Sequence, residues 1–149
     1  MADVPPFRRS RPLRLLVTGV SSDAHTWNLV YLQALLEEMG HEVVNLGACV
    51  PDELLVRTCR AVGPDAVVMS SVNGHGWRDG ARAVRALHEA PGLAATPAVI
   101  GGKLSIDGPH GPDLCSSLLA AGFDEVFEDC DPRTALAGYL ATVRPGVTV

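Results

Sequence analysis

The stretch Ser21-Ser22-Asp23-Ala24-His25-Thr26-Trp27-Asn28 separates two segments of different period. Before it, Leu13 to Val20 is a short and mostly apolar run; after it, Leu29, Leu32, Leu35, Leu36 and Met39 recur at helical spacing. The polar stretch between such a strand and such a helix is a βα loop. In an open parallel sheet this kind of loop lies at the carboxyl edge of the strands, where ligands bind. Asp23 and His25 are two residues apart, so extended backbone sends both side chains to one side and lets the carboxylate approach a ring nitrogen. A carboxylate that accepts the Nδ1 proton fixes the tautomer and leaves the Nε2 lone pair pointing outward, as a metal ligand or as a base.

Outward from this loop the same alternation continues. Glu42 to Leu46 reads as a second strand, and Pro51 suits the first position of a helix whose inner stripe is Leu55, Cys59 and Val62. Ala66-Val67-Val68-Met69 is a continuous apolar run, as a central parallel strand buried on both faces requires. The loop Ser70-Ser71-Val72-Asn73-Gly74-His75-Gly76 follows it. A third helix carries Trp77, Ala81, Val84 and Leu87 on one face and Arg78, Arg82, Arg85 and Glu89 on a solvated one. Ala98-Val99-Ile100 is a fourth strand ending in Gly101-Gly102, and Leu114, Leu118 and Ala121 support a fourth helix closed by Gly122. Phe123 to Phe127 is a fifth strand; Asp131-Pro132 caps a last helix with Leu136, Tyr139, Leu140 and Val143. Five βα units imply an α/β fold with a parallel sheet and helices on both faces. The flavodoxin-like strand order 2-1-3-4-5 is expected, with the crevice at the switch point between strands one and three.

The chain has 149 residues and 47% hydrophobic content, enough for one domain, expected over 13–149, after a loose basic tail at 1–12. Its 12 basic and 17 acidic residues give a net charge of −5, which offers no general attraction to nucleic acid or to an anionic membrane. Arg8, Arg9, Arg11 and Arg14 crowd the start, but the apolar run behind them has a strand's length and lacks the pattern of a secretory signal. No apolar segment approaches the roughly 20 residues that cross a bilayer. A cytoplasmic protein is expected, with Cys49, Cys59, Cys115 and Cys130 as reduced thiols without CxxC spacing.

The ends of three strands share one property. Thr18-Gly19, Ser70-Ser71 and Gly101-Gly102 are small, which leaves a slot at the sheet edge that larger side chains would have filled. Such a slot invites a ligand buried edge-on, with the Ser70 and Ser71 hydroxyls available to its heteroatoms.

Asp23-Ala24-His25, Ser70-Ser71-Val72 and Gly101-Gly102, in this order at three strand ends, resemble the DxHxxG, SxL and GG pattern of the cobalamin-binding domain family. The likeness covers about Arg14 to Phe127, and the free-standing form is similar to the small subunits of glutamate mutase-type enzymes, with Ser22 and the glycine loop after Val72 adding to it. The resemblance implies adenosylcobalamin bound base-off, His25 as lower cobalt ligand, and Asp23 hydrogen-bonded to that histidine. It implies a nucleotide tail in a slot at Ser70, Val72, Gly101 and Gly102. Ser22, Ala24, Thr26, Asn28, Ser71, Lys103, Leu104 and Ser105 complete the implied cofactor-binding set. Asn28 stands at the family's glycine and Val72 at its leucine; the Asn28 amide can itself bond a phosphate or tail group near a helix N-terminus.

The resemblance further implies a subunit of an isomerase with no catalytic residue of its own, docking on a large TIM-barrel subunit for a radical rearrangement of glutamate to 3-methylaspartate. A corrinoid methyl carrier and a non-catalytic cobalamin-binding module are the alternatives; the former usually carries a helical cap for which residues 1–12 are too short. A receiver module would need a phosphorylatable Asp where Ser70-Ser71 stands, and a flavin module a first loop without Asp23. His41, His88 and His110 read as surface residues, His75 as a neighbour of the crevice, and Trp27 as a packing residue at the helix start, with a docking surface as the alternative.

Overall fold

A computed structural model describes residues 12–145, so nearly all of the expected basic tail lies outside the described residues. The apolar runs become β1 (Arg14–Thr18), β2 (Glu42–Asn45), β3 (Ala66–Ser71), β4 (Ala98–Gly102) and β5 (Glu125–Glu128). The periodic segments between and after them become α1 (Trp27–Glu38), α2 (Asp52–Val62), α3 (Gly76–Glu89), α4 (Gly111–Ala121) and α5 (Pro132–Leu140). All four strand pairings are parallel and the order is β2-β1-β3-β4-β5, the flavodoxin-like arrangement. The central β3 is buried along its whole length, as its unbroken apolar run requires.

Alternate strand residues serve two cores. Leu16, Val67, Met69 and Ile100 pack with Leu55, Val84, Leu87, Leu114 and Leu118 on the side of α2, α3 and α4. Leu15, Val17, Val68 and Val99 pack with Leu29, Leu32, Leu36, Leu136 and Tyr139 on the side of α1 and α5. The four cysteines are free; Cys59 belongs to the first core, where burial pushes its thiol up to about 11. Among the described residues no helix is long and apolar enough to cross a membrane.

Several ends differ from the sequence reading for local reasons. Pro51 is the N-cap of α2, with extended backbone at ψ 151°, and its carbonyl accepts from Leu54 and Leu55 N–H. The fifth strand starts at Glu125 because Asp124 is spent earlier, exchanging backbone and side-chain hydrogen bonds with Ala98 while Phe123 fills the first core. Asp131 caps α5 as expected, its carboxylate accepting from Thr134 N and Oγ1. β3 and β4 run on through their small residues, pairing Ser70 with Gly101 and Ser71 with Gly102. Gly102 sits at φ +114°, and a Cβ there would lie 2.2 Å from the Ser71 carbonyl oxygen. That position therefore accepts glycine alone.

Gly102→Ala should lower stability by at least about 2 kcal/mol, since a positive φ and a backbone clash both oppose the methyl group. Urea unfolding measures it, and an unchanged midpoint would contradict this account of the β3–β4 ends.

Candidate functional site

The loop after β1 is held from inside by one carboxylate. Asp23 is 1% exposed, and its Oδ1 accepts from the His25 backbone N–H at 3.0 Å and faces His25 Nδ1 at 2.7 Å. Its Oδ2 accepts from the Ser71 hydroxyl at 3.1 Å and from Val72 N–H at 2.8 Å, both at the end of β3. The bond to the amide two residues ahead is an Asx turn, so the Asp23–His25 contact comes from a turn and not from the extended backbone the spacing suggested. Burial alone would raise the Asp23 pKa, but the bonds from His25, Val72 and Ser71 outweigh it and hold the carboxyl below its ordinary value.

The imidazole behaves oppositely: 62% of the His25 side chain is exposed, against 2% for Asp23. Among the described residues Nε2 has no protein partner. The ring is thus fixed at one nitrogen and open at the other. Ser22, Ala24 and Thr26 around it are exposed.

A second feature starts at the same strand ends. A crevice of about 610 Å³, open to solvent, runs over β3, β4 and β5 between α1 and α5. Ser70, Val72, Gly101 and Gly102 line its polar end, and Leu32, Val68, Val99, Phe127 and Leu136 its depth. Val72 joins the two features, since its N–H holds Asp23 while the residue lines the crevice. Asn28 lines it as well, donating from Nδ2 to Ser70 Oγ at 2.8 Å.

Thr18 and Gly19 are not among the lining residues, because Gly19 faces the β2–α2 loop through Gly47. Lys103 is exposed and its carbonyl accepts from Gly74 N–H. Leu104 sends its side chain into the first core, leaving its carbonyl to Trp77 N–H, and Ser105 Oγ accepts from Gly108 N–H. His75 is exposed, while His88 and His41 are half-buried and hydrogen-bonded to Thr96 O and Leu13 N, so only His110 and His75 are fully surface residues of those four.

Two readings are corrected here. Trp27 is 83% exposed, because Leu29 and Leu36 set the buried stripe of α1 and Trp27 falls on its opposite side. Arg82 is no free member of a solvated face: it bonds Asp52 at 2.8 Å, Asp79 at 3.0 Å and Ser21 at 2.7 Å. Buried Asp79 in turn accepts from the Ser22 hydroxyl, and Asn73 donates to Ser22 O and Oγ. This bracket of Asp52, Asn73, Asp79 and Arg82 ties the loop to α2 and α3. The signal for it was Asp79, the only acidic residue in the first turn of α3.

The charged loop lies at the switch point between β1 and β3, whereas the crevice expected there sits over the carboxyl ends of β3 and β4, because the end of β1 turns toward β2; a doubly wound parallel sheet with these two features is a ligand-binding α/β domain. The B12 binding domain model matches residues 13–111, more than half of the chain. The glutamate mutase sigma subunit 2 of Haloarcula marismortui is 31% identical over 131 residues, covering 87% of each chain. The glutamate mutase sigma subunit of Treponema denticola is 27% identical over 123 residues, covering 83% of this chain and 88% of the other. The chain therefore belongs to the B12-binding domain family and is similar to glutamate mutase sigma subunits over most of its length. A solved cobalamin-binding protein from Desulfitobacterium hafniense has the same fold at a TM-score of 0.72 and 21% identity, over 91% of this chain and 60% of that one.

In the cofactor-free protein, Asp23→Asn should cost about 1–3 kcal/mol near pH 7, where a charged acceptor of several bonds is lost. The folded carboxyl titrates below its unfolded value of about 3.9, so its contribution is complete above that value and fades as pH falls through the folded pKa. Unfolding of both proteins near pH 7 and at about pH 2.5 checks the sign. A gap that failed to shrink in acid would contradict it.

Proposed function

We propose that the chain is the cobalamin-binding small subunit of an adenosylcobalamin-dependent carbon-skeleton mutase of the glutamate mutase kind. The observation that carries this reading is an outward imidazole, steered by a buried carboxylate, beside a deep apolar crevice that begins at the same strand ends. Among the described residues no group of three or more His, Cys, Asp or Glu side chains can hold a bare metal ion. A metal taken up by His25 must therefore bring most of its coordination sphere with it, as a macrocycle does.

Cobalamin meets both features. His25 Nε2 would hold the cobalt in place of the cofactor's own base, and Ser70, Val72, Gly101 and Gly102 would hold the nucleotide tail. When bound, the adenosyl form supplies the radical chemistry that rearranges glutamate to 3-methylaspartate.

The chain's own residues bind and orient. Asp23 faces Nδ1 at 2.7 Å, which orients the ring and leaves Nε2 directed outward, where it would meet the metal. Ser71 and Val72 hold Asp23 in turn, so the ligand's direction is set by the end of the central strand. The apolar walls from Leu32 to Leu136 keep water from the tail's base. The likeness to glutamate mutase sigma subunits implies that substrate binding and chemistry belong to a large TIM-barrel subunit docked over the cofactor.

Mixing the purified chain with hydroxocobalamin and recording the absorption spectrum tests the reading. Wild type should convert the cofactor to a form with the protein's imidazole in place of its own base, and His25→Ala should not. Asp23→Asn should weaken binding about 10–100-fold, as loss of the group that orients a metal-bound histidine does. Identical spectra for wild type and His25→Ala would contradict the ligand assignment.

A further inference from the structure

The polar groups of the crevice lie at its edges and are mostly spoken for. Asn28 and Ser70 bond each other at 2.8 Å, where α1 meets the end of β3. The Cys130 thiol donates to Glu128 O at 3.4 Å, and Tyr31, 51% exposed, stands on the solvent side. The floor is made by β3 and β4, each paired with strands on both sides, so its backbone N–H and C=O groups are spent within the sheet. What remains of the lining is Leu32 from α1, Val68 and Val99 from the floor, and Phe127 and Leu136 from β5 and α5. None of these side chains carries a donor or an acceptor.

We infer that the crevice discriminates among nucleotide tails: it takes a tail whose base carries hydrocarbon substituents and disfavours one whose base carries a hydroxyl or amino group, with Leu32 and Leu136 as specificity-determining residues. The inference rests on the cobalamin reading above and deepens it by naming the class of tail. A planar base that enters the depth exchanges water for hydrocarbon. Ring carbons and methyl groups gain from that transfer, whereas a hydroxyl or amino group gives up its bonds to water and finds no replacement. The two leucines come from helices on the two sides of the crevice, so a base between α1 and α5 meets hydrocarbon from both.

The test is isothermal titration calorimetry of the full purified chain with three corrinoids. Two are cobamides with bases of nearly equal shape, 5-methylbenzimidazole and 5-hydroxybenzimidazole; the third, diaquocobinamide, has the cobalt but no nucleotide tail. Acid titration of the free cobamides corrects for how tightly each base holds its own cobalt. Wild type should bind the methyl form about ten- to a hundredfold more tightly than the hydroxyl form, the range by which an apolar site rejects an isosteric hydroxyl. Leu32→Gln and Leu136→Gln each offer a donor and an acceptor, and should narrow that ratio at least about threefold. Equal affinity of wild type for the two cobamides would overturn the inference, and this comparison needs no variant to fold. An unchanged ratio in both folded variants would also overturn it, since the discrimination would then arise outside the crevice. If wild type bound none of the three corrinoids, the cobalamin reading itself would fail, a result distinct from the other two.

Discussion

The site depends on a carboxylate kept charged inside the protein. Asp23 has almost no contact with solvent, yet its pKa is held low because backbone and side-chain donors from two segments converge on its two oxygens. That convergence does two things together. It fastens the β1–α1 loop to the end of β3 through Ser71 and Val72, and it leaves the His25 ring with one nitrogen satisfied and the other free. A neutral amide at position 23 could not accept from all of these donors. The loop's position and the imidazole's orientation therefore have a single electrostatic origin.

The crevice follows from the same strand end. β3 delivers Ser70 toward the α1 side and Ser71 toward Asp23, the two-residue alternation of any strand placed where one face meets a ligand space and the other a loop. Gly102 permits this by letting β4 approach the Ser71 carbonyl more closely than a side chain would allow. The glycine pair thus serves sheet geometry first, and the open space beside it is a consequence. The polar bracket around Arg82 acts from the opposite side, joining Ser21 and Ser22 to Asp52 and Asp79 and so limiting how far the loop can swing.

Much of this was legible in the residues. The alternation of apolar runs with helical stripes specified five βα units and their order, because a strand buried on both faces, such as Ala66 to Met69, has few other readings. The nearness of Asp23 and His25 was legible too, although an Asx turn produces it. Three things were not legible, each because it depends on packing between distant segments. The phase of α1 turned Trp27 outward, Arg82 found partners on two other elements, and the end of β1 faced β2 and not the crevice. The Asn28–Ser70 bond spans 42 residues of sequence, and only the sheet order brings its ends together.

The central claim is that the free nitrogen of His25 binds cobalt while Asp23 holds the other. Electron paramagnetic resonance of the reduced cobalamin complex, prepared with ¹⁵N-labelled histidine in the full chain, tests it most directly. The account predicts a nitrogen coupling on the cobalt signal that changes from the ¹⁴N to the ¹⁵N pattern with the label, a response that is lost in His25→Ala. A coupling indifferent to the label would mean that the cofactor's own base still occupies the metal, and would contradict it.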